Sequence, residues 1–190
     1  GVLASNGQHY PADLVVVGIG VTPTQELAES CGLEVDNGIK VNEYMQTSDS
    51  NIFAIGDCVS FYHPIYKKQL RIESVQNATD QSKIAAMAIC DKFVAYDAMP
   101  WFWSDQYDAK LQIVGLSDGY DDIVVRSEAE DSLAVFYFSG ARLIAVDAIN
   151  QPKSFMIARK HMHNLPIVDK TKLADNSLEL NAAFTELVGA

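Results

Sequence analysis

Chemistry is concentrated in the run Thr47-Ser-Asp-Ser-Asn-Ile-Phe-Ala-Ile-Gly-Asp57-Cys58. Its apolar stretch Ile52 to Ile55 predicts a strand that closes on Gly56, with Asp57 directly after it. In an open α/β sheet, ligands settle beyond the carboxyl ends of strands. A glycine there lets backbone approach a ligand closely, and a carboxylate accepts hydrogen bonds from the ligand's hydroxyls. An ordinary strand followed by a Gly-Asp turn is the competing reading. A second group is Glu73-Ser74-Val75-Gln76, which opens a helix. A helix start turns its unpaired N–H groups and positive dipole end outward, toward negative charge; an N-capped surface helix would look the same. Gly18-Ile-Gly20 ends another apolar run, either as a ligand-facing turn or as a tight βα turn. Trp101 and Trp103 bracket Phe102, and alternation in an extended segment sets both indoles on one side.

Other reactive side chains form no pattern. Cys31, Cys58 and Cys90 are odd in number and far apart, so they suggest neither a disulfide framework, a zinc site nor a redox dithiol. That usage points to a reducing cytoplasm. His9, His63, His161 and His163 make no metal-ligand grouping, and no nucleophile elbow or acyl-transfer triad is present. Cations concentrate in 151–172, where Lys153, Arg159, Lys160, Lys170 and Lys172 face Asp169 alone. Such a patch either steers an acidic partner or is a solvated helix face with a surplus of charge.

The elements that must position these residues read as follows. Ser5-Asn6-Gly7 sits between strand-like runs, the strongest short hairpin signal. Leu14-Val-Val-Val17 has the unbroken apolar character of a strand buried on both faces. Thr24 is placed to cap a helix over 25–31, with Gly32 just past its end. Ile39 to Val41 is strand-like. The helix from Glu73 or Ser74 to about Cys90 takes its apolar face from Val75, Ala78, Ile84, Ala85, Ala88 and Ile89. Beyond Tyr96-Asp-Ala-Met-Pro100 the composition changes, and a domain boundary is expected there. Strands at 111–116, 123–126, 133–138 and 143–148, separated by turn residues, predict an antiparallel meander. A helix over about 153–163 follows, with a further short helix over 181–187. A chain opening inside a hairpin, without an initiator Met, reads as part of something longer.

Composition sets the bounds. The 190 residues are 48% hydrophobic and 21% charged, enough for a packed core in one or two domains. A net charge of −11 argues against nucleic acid as partner. No apolar run approaches the roughly 18 residues of a membrane span, and no signal-like segment opens the chain.

Four motifs in fixed order carry a resemblance. They are Ala12-Asp-Leu-Val-Val-Val-Gly-Ile-Gly-Val-Thr-Pro23, the Thr-Ser-Asp…Ala-Ile-Gly-Asp-Cys run, Glu73-Ser-Val-Gln-Asn-Ala78 and Pro100-Trp-Phe-Trp-Ser-Asp-Gln106. Together with Ile144-Ala-Val-Asp-Ala-Ile-Asn150-Gln-Pro, they resemble the C-terminal portion of the FAD-dependent ferredoxin reductases that serve bacterial oxygenases. The resemblance implies an α/β (α+β) fold: the C-terminal part of a two-dinucleotide-binding-domain flavoprotein, then a reductase C-terminal domain with an antiparallel sheet and flanking helices. Residues 1–35 would end the NAD-binding domain, 36–98 would be the returning half of the FAD-binding domain, and 99–190 the C-terminal domain. Neither G-x-G-x-x-G phosphate fingerprint of that family occurs here, so half of each cofactor site is implied.

The resemblance also gives roles. Gly18 and Gly20 would leave room for nicotinamide, Gly56 and Asp57 would hold the ribityl chain of FAD, and Glu73, Ser74 and Val75 would face the flavin N1–C2=O edge. Trp103, slightly ahead of Trp101, would shield the flavin; a core anchor at the domain junction is the alternative. Lys83, Lys153, Arg159 and Lys160 would dock a small acidic iron–sulfur protein, a ferredoxin or rubredoxin, after electrons arrive from NADH. No metal site is implied. Two rivals stand beside this reading: a nitrite-reductase-type or apoptosis-inducing-factor-like NADH oxidoreductase, and a non-catalytic docking or dimerisation module.

Overall fold

The computed structural model describes residues 1–184. The chain opens with the expected hairpin: β1 (Val2–Leu3) pairs antiparallel with β2 (His9–Tyr10), and Gly7 makes the turn at φ 84°. Helix α1 (Glu26–Ser30) starts at Gln25, with no side-chain cap, one residue after the predicted Thr24. Its end is as predicted. Gly32 lies at φ 76°, its N–H bonds Glu29 O, and the N–H of Leu33 bonds Ala28 O, which is the paired closure of a Schellman motif.

Two predicted strands do not form. Leu14 to Val17 is exposed rather than buried, with Leu14 at 80% and Val16 at 86%. Ile52 to Ile55 contributes only an isolated bridge, Gln46 with Phe53. A strand needs a hydrogen-bonded ladder: Leu14 to Val17 pairs with no described strand, and Ile52 to Ile55 meets only the short stretch 45–47, through Thr47 N–H to Ile52 O and Ala54 N–H to Met45 O. The small sheet is instead built from β3 (Ile39–Val41), parallel to β4 (Val59–His63), with β5 (Lys68–Leu70) antiparallel on its other side. Val59 and Phe61 of β4 pack with Met45, Ala85 and Tyr96 into one core.

Helix α2 (Val75–Ile89) matches the expected span, with Ser74 Oγ accepting from Asn77 N at 3.1 Å. Its buried face differs from expectation. Val75 and Ile89 are exposed, whereas Gln76, Asn77 and Gln81 are buried beside Ala85 and Ala88. Each buried amide holds a different piece of chain. Gln76 Oε1 accepts the Trp101 N–H, Asn77 accepts the Tyr96 hydroxyl and donates to Ile72 O, and Gln81 Oε1 accepts the Gly56 N–H.

The second half is a five-stranded antiparallel sheet: β6 (Trp101–Gln106), β7 (Ala109–Gly115), β8 (Asp122–Ala129), β9 (Ser132–Ser139) and β10 (Arg142–Ile149). The spatial order is β6-β7-β10-β9-β8. Only β8, β9 and β10 make the predicted meander, because the chain crosses from β7 to the opposite edge before starting it. The aromatic motif itself forms the fifth strand. Along β9, Ala134, Phe136 and Phe138 turn inward at every second position, onto Phe155, Ala158 and Met162. Those last three come from α3 (Pro152–His161) and the 3₁₀ turn Met162–Asn164, which closes at left-handed Leu165 before Pro166. Helices α4 (Lys170–Ala174) and α5 (Asn181–Phe184) complete this layer; the predicted helical positions 185–187 lie outside the described residues. Buried Arg126 ties it together, donating to the carbonyls of Leu173, Asp175 and Leu178.

The halves are stitched by Tyr66. Its hydroxyl donates to Ile144 O at 3.0 Å and accepts the Leu116 N–H at 2.9 Å, and burial pushes its pKa to about 12. Gly115 makes that approach possible. It lies at φ 82°, and a Cβ there would stand 2.3 Å from Ile144 O and 2.9 Å from the Tyr66 hydroxyl.

Candidate functional site

Gly56 is buried at φ 83°, with its N–H on Gln81 Oε1 at 2.7 Å, so α2 fixes the turn that presents Asp57. A Cβ at Gly56 would meet only Ala78 Cβ, at 3.6 Å. The glycine is therefore required for its backbone angle rather than for space. Asp57 is exposed, and its side chain bonds no described residue; its carbonyl accepts from Arg71 Nη1 at 3.3 Å. The acid is held by its backbone and offered by its carboxylate.

The start of α2 adjoins it. Ser74 is buried and caps Asn77, while the first-turn N–H groups of Val75 and Gln76 have no intrahelical acceptor. Glu73 pairs with Arg71. Glu73, Ser74, Arg71 and Ile72 form one wall of a cleft of about 270 Å³, and Pro100, Trp101, Phe102 and Ile113 form the other. Sequence order alone does not show that the helix start and the aromatic motif share a cleft. The Gln76–Trp101 hydrogen bond draws them together.

The two faces of β6 then diverge. Phe102 lines the cleft with Glu73 and Ser74. Trp103 lies on the other face, in a groove of about 480 Å³ with Lys110, Gln112, Asn150 and Trp101, which borders both hollows. Both indoles share that side, as alternation requires, with ring centroids 5.4 Å apart and planes inclined by 31°. Arg159 stacks its guanidinium 4.5 Å from the Trp101 ring centroid.

Gly18 and Gly20 lie in an exposed segment with nothing within 4 Å of where a Cβ would stand, and Gly20 is at φ 91°. They join the rest only through the next residue: Val21 O accepts from Arg71 Nη2 at 3.5 Å. Two of the four candidate docking cations converge. Lys83 bonds Asp80 at 2.8 Å, and Arg159 reaches the same carboxylate through its field. Burial works to raise the Asp80 pKa, but hydrogen bonds from Lys83 and Gln76 and the nearby cations outweigh it and hold it below the usual value. Lys153, at the opening of α3, is drawn to Glu179 at 2.7 Å, and Lys160 is exposed. Among the described residues no cluster of His, Cys, Asp and Glu could hold a metal ion, and the three cysteines are unpaired. Nor is any described helix long and apolar enough to cross a membrane.

Sequence reasoning missed Arg71 and Gln81, and placed Gln76 only in the helix opening, not as the acceptor for the Trp101 N–H. The signal for the two glutamines is that they share, with Asn77, the helix face that Ala85 and Ala88 continue. For Arg71 the signal is a cation two residues before the acid that opens the helix.

Residues 1–82 match the family described as pyridine nucleotide-disulphide oxidoreductase, and residues 101–184 match the one described as Reductase C-terminal. Putidaredoxin reductase of Pseudomonas putida is 46% identical over 194 aligned positions, covering 100% of this chain and 46% of the relative. Rhodocoxin reductase of Rhodococcus erythropolis is 44% identical over 185, covering 97% and 43%. The chain thus spans somewhat less than half the length of these curated relatives. Two solved structures superpose closely. Putidaredoxin reductase, in its covalent complex with putidaredoxin, gives a TM-score of 0.85 at 45% identity, over 96% of this chain and 45% of that one. A ferredoxin reductase from Rhodopseudomonas palustris gives 0.88 at 42%, over 95% and 45%. With both family models matched and more than 40% identity to two reductases along nearly its whole length, the chain belongs to the pyridine nucleotide-disulphide oxidoreductases, among those that carry a Reductase C-terminal domain.

Proposed function

We propose that this chain is part of an FAD-dependent NADH:ferredoxin or NADH:rubredoxin oxidoreductase, passing electrons from NADH to a small acidic iron–sulfur protein that feeds an oxygenase or P450. The observation that carries it is the cleft between the opening of α2, at Glu73 and Ser74, and the Trp101–Phe102 wall, with Asp57 tied to the Arg71–Glu73 edge of that cleft through its backbone carbonyl. Those residues fit one side of a flavin cradle: a carboxylate with no described protein partner, two unpaired first-turn amides, and an aromatic wall. Relatives' names point the same way, among them the rubredoxin-NAD(+) reductase of Ectopseudomonas oleovorans, 41% identical over 78% of this chain and 39% of the relative.

FAD, when bound, supplies the acceptance of hydride and the release of single electrons. The protein's part is positional. Asp57 would accept from ribityl hydroxyls, Glu73, Ser74 and Val75 would set the helix start against the flavin's N1–C2=O edge, and Gly18 and Gly20 would leave a shelf for nicotinamide. The domain reading assigns 1–35 to the end of an NAD-binding domain, 36–98 to the returning half of an FAD-binding domain and 99–190 to the C-terminal domain. Lys83, Arg159 and Lys160, with Trp103 beside them, make the docking side, and Lys153 extends it along α3. The unpaired cysteines suit a cytoplasmic setting.

The test uses the full-length protein, with the part of the relatives that this chain does not span. It should purify yellow and reduce a generic acceptor with NADH. Removing one charge-assisted hydrogen-bond acceptor costs roughly 1.5–3 kcal/mol, so Asp57→Ala should weaken FAD binding by about 10- to 100-fold. Unchanged flavin content in that variant removes the assignment.

A further inference from the structure

One guanidinium, that of Arg71, reaches four separate stretches of the chain. Its Nε donates to Asn37 Oδ1 at 3.4 Å, its Nη1 to Asp57 O at 3.3 Å and to the Glu73 carboxylate, and its Nη2 to Val21 O at 3.5 Å. The side chain is only 12% exposed. A carboxylate partner alone would be served by lysine. Arginine differs in carrying five N–H donors in a rigid planar fork, which can hold several acceptors at fixed mutual angles.

The identity of those acceptors matters. Val21 directly follows Gly18-Ile-Gly20, whose own surroundings are open space. Asp57 and Glu73 belong to the flavin-facing rim. No other described side chain bonds both the Val21 region and that rim. We propose that Arg71 is a positioning residue for hydride transfer, setting the spacing between the nicotinamide shelf at Gly18–Gly20 and the flavin rim at Asp57 and Glu73. The inference rests on the cofactor reading above. Hydride transfer is sensitive to such spacing: a displacement of about 1 Å between reacting groups can cost about 100-fold in rate.

The decisive variant is Arg71→Lys in the full-length protein, with Arg71→Gln run in parallel so that the outcome does not depend on the folding of one protein. Lysine keeps the charge beside Glu73 but cannot span Val21, Asn37 and Asp57 together. The expected result is that Arg71→Lys binds FAD within about threefold of wild type. Its single-turnover reduction by saturating NADH should be slower by about 10- to 100-fold even with excess FAD. Wild-type reduction rates in both variants overturn the proposal, as does a defect that excess FAD fully restores, since that would be retention of cofactor rather than spacing. Asp57→Ala separates the two claims. If that variant loses FAD while both Arg71 variants reduce normally, the cofactor reading stands and the role of Arg71 falls. If the wild-type protein holds no flavin, both fall.

Discussion

At the scale of single residues, His63 carries a consequence for pH. The ring is fully buried on β4, with Nε2 3.2 Å from Ala98 O and Nδ1 without a hydrogen-bond partner. The groups facing it are Tyr66 from the following turn, Phe61 on its own strand, Asp97 in the segment leading to β6, and His163 in the 3₁₀ turn. Burial lowers the His63 pKa, and the backbone bond and Asp97 oppose this without cancelling it. The folded state therefore favours the neutral ring, while the unfolded chain takes up its proton near pH 6.5. Stability is present above that value and is lost as pH falls through the lower folded-state pKa, by up to about 1.4 kcal/mol per pH unit. Urea unfolding at pH 7.5 and 5.5 should show this loss, and His63→Phe should reduce it. Identical pH slopes for the two proteins would exclude His63 as its source.

Helix α2 shows how the elements recruit the site. Its polar stripe fixes Gly56 through Gln81, the Tyr96 segment through Asn77 and the first residue of β6 through Gln76. Gln76→Leu would leave the Trp101 N–H without its acceptor, at a cost of about 1–3 kcal/mol. Gln76→Glu, which keeps an acceptor oxygen, should cost less. Hydrogen exchange at the Trp101 amide is the direct readout, and it should quicken in the leucine variant first. Protection equal to wild type would show that β6 is held by its pairing with β7 alone. This element also marks where sequence legibility stops. Its span, its Ser74 cap and the Schellman glycine of α1 were readable, because capping chemistry is local. Which side of α2 is buried was not, since an apolar-periodicity rule counts Val75 and Ile89 inward and cannot know that Gln76 and Gln81 accept from distant backbone amides and Asn77 from the Tyr96 hydroxyl. The same limit explains Ile52 to Ile55. Apolar β-branched residues announce strand preference, but a strand forms only where a neighbour supplies its ladder, and β4 rather than 52–55 lies between two such neighbours.

On the scale of the whole molecule, β6 divides two surfaces. Its Phe102 side closes the cleft that also holds Glu73 and Ser74, and its Trp103 side opens the groove next to Arg159-stacked Trp101. Alternation along one strand thus gives adjacent residues to opposite tasks. The motif was legible as aromatic and extended; the assignment of Phe102, not Trp103, to the cleft was not, because it depends on which face of β6 meets α2. On the proposed function, electrons reaching the cleft would leave toward an acidic protein, and Lys83 with Arg159 supplies positive charge on a chain of net charge −11. On the same reading Trp103, 40% exposed on the groove side of β6, would touch the partner rather than the cleft. Truncating an aromatic at the centre of such a contact typically costs more than about 1 kcal/mol. Trp103→Ala in the full-length protein should therefore lower second-order reduction of an iron–sulfur partner by about tenfold. It should leave flavin reduction by NADH within about twofold, because the residue lies on the far side of β6 from the cleft. Stopped-flow measurement of the two half-reactions separates the cases: equal losses in both would mean that Trp103 holds β6 together through Trp101, and that the partner docks elsewhere.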